Sequence, residues 1–294
     1  MSAPGFLNQI WQITRKEIKE CINSKRFLIF LLIFGATYLI TTGLLSGDVL
    51  GGSLPPADTL TYAYVLSSIF LWIIPIVFTY DAISKERQSK SLDIVLSKPV
   101  MKYELVLGKF LGAGITLVAI VGIVHLAGYA LSIGLSGIIP PLSEFGDFGA
   151  YLGIIFLGMI CYMALAMLFS VLIKSGATSL IITLILGIMV LGMPHLIASN
   201  IRYFNNPEVK AAVSEGNWEL ASQIYIGPAP WWEKVTYALN PGNCMNCVSD
   251  ILQGKGLASM SLELTLGQSI LAMFIFFGIC LSLAIVIFQK KDLK

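Results

Sequence analysis

The chain has 294 residues, 56% hydrophobic and only 12% charged, whereas a soluble domain is typically about half apolar and about a quarter charged. That balance excludes an ordinary soluble domain. A net charge of +2 and five cysteines also exclude a basic nucleic-acid-binding surface and a disulfide scaffold, leaving a membrane-embedded protein.

In chain order, the first element is a helix over 5–26. Leu7, Ile10, Trp11, Thr14, Ile18, Cys21 and Ile22 fall on one side of it, with Asn8, Gln12, Arg15, Lys16, Lys19 and Glu20 on the other. A basic amphipathic helix beside a span predicts an interfacial (elbow) helix in the headgroup plane; packing on a partner is the other reading of the stripe. Nothing before Phe27 has the basic start and cleavage site of a signal peptide, so the first span is expected to be retained.

Six segments free of Asp, Glu, Lys and Arg follow: 27–46, 60–80, 111–136, 149–173, 176–198 and 265–288. Each is long enough to cross a hydrocarbon core of about 30 Å as a helix. Their apolar runs are continuous rather than alternating, which favours helices over barrel strands.

With the N-terminus inside, 15 of the 19 basic residues fall on cytoplasmic segments, and the short outer loops 47–59 and 137–148 contain none. That distribution follows the positive-inside rule and predicts cytoplasmic N- and C-termini. The outer connection 199–264 predicts a helix from Pro207 through Glu208 to Gln223 and a second from Trp231 to Leu239. Trp231, Trp232 and Tyr237 place this piece on the outer leaflet surface. No internal repeat is visible, so inverted-repeat transporter folds gain no support.

The cytoplasmic connection between the second and third spans, 81–103, is longer and more charged than a turn requires. Ala82 to Leu96 reads as a helix with Ile83, Leu92, Val95 and Leu96 on a contact face and Pro99 ending it. A short helix held between two spans is a mechanical handle, since force on it moves both.

These residues carry a resemblance. Asp81, Ala82, Ile83, Glu86, Leu92, Leu96, Ser97, Pro99, Val100, Glu104, Leu105, Gly108 and Lys109, preceded by the amphipathic helix and two spans, resemble the membrane subunit of ABC exporters of the type-2 permease class (type V exporters). Trp11, Arg15, Lys16 and Glu17, with Leu239, Asn240 and Pro241, resemble the branch that includes the permease of nitrous-oxide reductase maturation. The resemblance implies an all-α membrane protein with six transmembrane helices, an elbow helix and a cytoplasmic coupling helix, set among membrane lipids in the cell membrane. It implies pairing with a second permease copy or close paralogue, and two copies of a separate ATP-binding subunit that carry the ATP and Mg. It assigns ATPase coupling to Asp81, Ile83, Glu86, Arg87, Lys90, Leu92, Leu96, Pro99, Glu104, Gly108 and Lys109, with a smaller contact at Lys174. Gln88, Ser89 and Lys90 stand where many relatives carry an acidic or glycine residue.

The chain lacks a phosphate-cradling loop: Gly108-Lys109 is followed by Phe110 and Gly254-Lys255 by Gly256, so neither completes G-x-x-x-x-G-K-[ST]. Hydrolysis is therefore expected from a partner, with no cofactor bound by this chain.

The competing class is an ion- or proton-coupled secondary transporter, which needs ionisable groups inside the spans. Only His125 and His195 qualify, with Gln268 as a polar companion, and a lone histidine there is more often a hydrogen-bonded packing residue. A membrane enzyme lacks any nucleophile-base or H-E-x-x-H pattern. Cys244 and Cys247 form the one C-x-x-C spacing; a disulfide or packing is favoured over a soft-metal site. Gly108 with Gly112 and Gly149 with Gly153 are small-x-x-x-small spacings that predict close helix approach.

The net charge resolves into two opposed faces. Inside, 15 basic against seven acidic residues give +8; outside, four against ten give −6.

Overall fold

The computed structural model describes residues 6–47, 54–89, 101–187, 193–217, 220, 230–246, 251–252, 260–261 and 264–290. The described residues are helical almost throughout: α1 Phe6–Ile22, α2 Lys25–Ser46, α3 Pro56–Thr79, α4 Ser84–Gln88, α5 Lys102–Ser136, α6 Leu142–Leu172, α7 Gly176–Ile185, α8 Met193–Asn205, α9 Pro207–Ser214, α10 Trp231–Ala238, α11 Pro241–Met245 and α12 Leu266–Lys290. The only strands among the described residues are β1 Met260–Ser261 and β2 Leu264–Thr265, an antiparallel pair.

Among the described residues, five helices are long and apolar enough to cross a membrane: α2, α3 extended through α4, α5, α6 and α12. The segment expected as a continuous fifth span, 176–198, is described as α7 and the start of α8, with 188–192 outside the described residues. The buried share of the most apolar stretch is 17% in α12 and 22% in α2 but 61% in α6, so α6 is the central helix of the bundle. Around it, α12 and α3 pack on α6, α2 packs on α5 and α3, and α1 lies against α5.

Local chemistry sets the helix ends. Ser24 caps α2, its hydroxyl accepting from the Phe27 N–H; the Met101 N–H donates to Glu104 Oε2 at 2.7 Å at the start of α5. Gly137 ends α5 in the left-handed region, φ 67°, which glycine adopts without a Cβ penalty. Asn206 caps α9, with Pro207 at its first position. That helix stops at Ser214 rather than running to Gln223, because Gly216 takes φ 73°. Propensity alone did not mark this glycine as a stop.

Two sequence expectations about packing change. The stripe on α1 divides into two faces. Ile10, Thr14 and Cys21 are buried, and Glu17 is buried with them, while Leu7, Trp11 and Ile22 are exposed. Helix α1 therefore packs on its own chain along one edge and leaves a second apolar edge bare.

The second change concerns the stretch after α10. Residues 240–245 do not lie on a surface: Pro241, Gly242, Cys244 and Met245 are buried, and α11 packs against α6 and α12. Tyr162, which this insert touches, stands ten residues before the end of α6, about 15 Å along the axis at the usual rise. Irregular backbone at such depth is tolerated only where protein groups satisfy it, and here they do. The Tyr162 hydroxyl donates to Asn240 Oδ1 at 2.7 Å and accepts from the Gly242 N–H at 3.0 Å. The Tyr237 hydroxyl donates to the Asn243 carbonyl at 2.6 Å.

Glycines make the space. A Cβ on Gly158 would collide with Met245, and one on Gly242 would stand 2.8 Å from Trp72. Above the insert, Arg202 of α8 pairs with the buried Glu233 of α10 at 2.6 Å. Helix α10 keeps Trp231 exposed and buries Glu233 and Tyr237.

Candidate functional site

The charged residues singled out from the sequence meet at one end of the bundle, where α1, α4, the foot of α5 and the α6–α7 turn come together. The centre is Lys109. Its ammonium lies 2.9 Å from Glu17 on α1 and 3.0 Å from Glu86 on α4, and all three side chains are almost buried. A lysine so placed on an apolar helix is costly unless paired, and here two carboxylates hold it.

Close approach makes this geometry possible. The Thr14 hydroxyl donates to the Gly108 carbonyl at 3.2 Å. A Cβ on Gly108 would stand 2.7 Å from Ile13, and one on Gly112 2.5 Å from the Glu17 Cβ. The first small-x-x-x-small pair therefore serves the α1 contact, while the second, Gly149 and Gly153, meets nothing within 4 Å among the described residues.

A second ion pair stands beside the first. Arg26 reaches both oxygens of Asp81, at 3.1 and 2.7 Å, donates to the Val77 carbonyl at 3.4 Å and lies 4.9 Å from the centre of the Tyr80 ring. The bidentate fork fixes the start of α2 to the end of α3.

Helix α4 is seated on α6 by backbone donors. The Ile83 and Ser84 N–H groups both donate to Ser170 Oγ, at 2.9 and 3.2 Å, and Arg87 donates to the Val171 carbonyl at 3.1 Å. Two backbone donors at this short helix's start are thereby anchored to the foot of the central helix, and the Arg87 side chain adds a third bond near its end. Gly176 leaves room for the turn, since a Cβ there would sit 3.3 Å from Asp81.

Of the residues assigned to ATPase coupling, Asp81, Glu86, Arg87 and Lys109 are thus engaged within the chain, Ile83 and Gly108 are buried, and Glu104 is spent on its own helix start. Ile83 was expected on a contact face; it is fully buried because its backbone faces Ser170. Lys85, Gln88, Ser89 and Lys174 face outward. Lys90, Leu92, Leu96 and Pro99 lie outside the described residues, as does most of the expected helix beyond Gln88.

A cavity of about 720 Å³ opens between α1 and α4, lined among others by Lys16, Glu20, Lys25, Lys85 and Ser89, with Phe78 at its apolar side. Cys21 also borders it, its thiol pushed up to about 12 chiefly by burial and then by the charge of Glu17.

The sequence reading missed Glu17, Arg26 and Ser170 as partners. Glu17 carried a signal: it falls between Thr14 and Cys21 on the buried side of α1, where a carboxylate requires a cation.

The remaining candidates are placed as follows. His125 is fully buried, its Nδ1 2.8 Å from the Val121 carbonyl and its ring 4.5 Å from that of Tyr38. Tyr38 and Tyr151 share a hydroxyl contact of 3.4 Å in the same cluster. The side chain of His195 lies outside the described residues. Cys244 is buried with its thiol 3.8 Å from the Ala238 carbonyl, and Cys247 lies outside the described residues. Among the described residues no group of three or more His, Cys, Asp or Glu is arranged to hold a metal ion.

Comparison with known proteins agrees with the architecture. Residues 11–293 match the family described as ABC-2 family transporter protein. The chain is 30% identical over 113 residues to the probable ABC transporter permease protein NosY of Stutzerimonas stutzeri, covering 38% of this chain and 41% of the relative. It is 28% identical over 162 residues to the protein of the same name from Pseudomonas aeruginosa, covering 53% of this chain and 58% of the relative. The matched stretches thus span about half the length of these curated relatives. With the family match running over nearly the whole chain and five membrane-length helices in place, this multi-pass membrane protein belongs to the ABC-2 transporter family, as a membrane subunit.

Proposed function

We propose that the chain is the permease subunit of an ATP-driven ABC exporter that forms its translocation path as a dimer. Each copy couples to one separate ATP-binding subunit, which carries ATP and Mg. On this reading 176–198 completes a set of six spans, and both termini lie in the cytoplasm, where the basic residues cluster. The cargo crosses near the dimer axis between uncharged side chains, which suits an amphiphilic molecule.

The observation that supports coupling is the seating of α4. It is bound on its inner side to Ser170, Val171 and Lys109, and it turns Lys85, Gln88 and Ser89 outward beside the exposed Lys174. A short helix held this firmly to α5 and α6 transmits a displacement to both. The residues that touch the ATPase are on this reading Lys85, Gln88, Ser89 and Lys174, together with the outer part of 90–99. Asp81, Glu86, Arg87 and Lys109 support them from behind.

The test is reconstitution of the chain with the ATP-binding subunit encoded beside it. Co-purification and ATP turnover that fall together in Lys85→Glu with Lys174→Glu support the docking site. Strong ATP turnover by the chain alone, or transport that continues without ATP, overturns the reading. His125 spends one ring nitrogen on the Val121 carbonyl within an aromatic cluster, so a proton-coupled alternative gains no specific support.

A further inference from the structure

We infer that Lys109 is a positioning residue that makes α1 and α4 move as one body, so that displacement of α4 by the ATPase also displaces the N-terminal helix. The inference rests on the ATP-coupled reading above and concerns a different question, namely which parts of the membrane subunit the force reaches.

The two carboxylates on Lys109 come from neither its own helix nor each other's. Glu17 belongs to α1, Glu86 to α4, and Lys109 stands between them near the start of α5, at 2.9 and 3.0 Å. An ammonium has three donors and no fixed fork, so one Nζ bridges both acids. Lys109 is only 5% exposed, and it borders the cavity between α1 and α4 together with Glu17 and Glu86, so each carboxylate meets the ammonium at the inner wall of that cavity. Losing one contact leaves a carboxylate uncompensated in a poorly solvated place, and the cluster therefore resists separation of α1 from α4.

The rest of the contact has the same effect. Thr14 is bonded to the Gly108 carbonyl, and Gly108 and Gly112 let α1 lie on the α5 backbone. On its other side α1 exposes Leu7 at 76%, Trp11 at 59% and Ile22 at 46%, the edge that meets lipid when the helix lies in the headgroup plane. Movement of α4 is passed through Glu86, Lys109 and Glu17 to this edge, and α1 tilts in the interface instead of floating there independently.

The experiment uses the full complex with its ATP-binding subunit in lipid nanodiscs. ATP turnover per assembled complex is measured for the unaltered chain, Lys109→Met, Lys109→Arg, Glu17→Gln and Glu86→Gln. Paired labels at Arg15 on α1 and at the exposed Leu172, beside the Val171 carbonyl that holds Arg87 of α4, report the distance between α1 and the seat of α4 with and without ATP. The expected result is a loss of about tenfold in kcat, with the KM for ATP unchanged, for Lys109→Met, Glu17→Gln and Glu86→Gln alike. Lys109→Arg, which can still serve both acids, retains most of the rate. The label distance stays constant on ATP binding in the unaltered chain and changes in Glu17→Gln.

Glu17→Gln keeps the Lys109 and Glu86 pair and carries the test if Lys109→Met fails to assemble. Turnover at the unaltered level in Glu17→Gln, with loss in Glu86→Gln, overturns the inference, since Glu86 would then act on the ATPase without α1. A label distance that changes in the unaltered complex overturns it too. Failure of the unaltered chain to join or stimulate any ATP-binding subunit is a separate result and strikes the coupling reading itself.

Discussion

Two regions of the bundle are held by opposite means. At the end where α1, α4 and α5 meet, buried charges do the holding: Lys109 between Glu17 and Glu86, and Arg26 on Asp81. The insert 240–246, which meets α6 about 15 Å from the end where α4 is seated, is held by neutral groups, namely Tyr162 with Asn240 and Gly242, and Tyr237 with Asn243. Its nearest ion pair, Arg202 with Glu233, belongs to α8 and α10. A neutral buried hydrogen bond contributes about 1 kcal/mol and can be exchanged singly. A buried ion pair that loses one partner costs about 3–5 kcal/mol because the other charge stays behind. The clamped end is therefore built to move as a unit or not at all, whereas the insert can loosen bond by bond.

The largest expected effect comes from breaking the clamp. Lys109→Met leaves Glu17 and Glu86 facing each other without their cation and should destabilise the purified chain by about 3–5 kcal/mol. Thermal unfolding in a fixed lipid mixture measures this. Lys109→Met combined with Glu17→Gln and Glu86→Gln removes both orphaned charges and should recover most of the loss. If the triple variant is no more stable than Lys109→Met, the cost lies in packing rather than charge, and the contrast between the two regions fails.

The insert is tested by its packing and then by its bonds. Gly158→Val drives a side chain into Met245 and should cost about 1–3 kcal/mol through overpacking, with hydrogen exchange rising first at 240–246. Tyr162→Phe removes the donor to Asn240 and the acceptor for the Gly242 N–H. It should cost about 1–3 kcal/mol and raise exchange in the insert while leaving α1 protected. Equal deprotection of α1 in either variant would show that the two regions are one cooperative unit.

The sequence made the spans legible because twenty apolar residues without charge have few alternatives in lipid. It also located the charged connection around Asp81 to Lys109, since charge that close to two spans must be used. It did not reveal that Glu86 and Lys109 face inward, because Glu17, the second carboxylate on Lys109, is 92 residues from it and only the fold brings α1 onto Gly108 and Gly112. The insert was read as interfacial for a related reason. Trp231, Trp232, Pro and Asn are the residues of a membrane surface, and the hydroxyl that lets Asn240 and Gly242 enter the bundle lies on α6 at Tyr162. Periodicity finds faces of helices; it carries no information on which distant side chain will satisfy a buried backbone group.

The smallest effect is a reporter for the clamp. Cys21 is 7% exposed on α1, and its thiol is raised from an ordinary 9.0 to about 12, first by burial and next by Glu17, with Lys109 acting in the opposite direction. A group whose proton is held more tightly in the folded state favours folding fully below its unfolded value and loses that contribution as pH rises through the folded one. Cys21 should thus make stability fall between pH 9 and 12, the limits set by these two values. At neutral pH its thiolate fraction is minimal, so maleimide modification of Cys21, followed by peptide mapping, should be slow in the intact chain. Tyr162→Phe should leave that rate unchanged, because it loosens only the insert. Lys109→Met should accelerate it if the clamp opens by lifting α1 away from α5. Slow modification in that variant would mean that α1 stays seated on Gly108 and Gly112 by packing alone, and that the ion pairs serve α4 rather than α1.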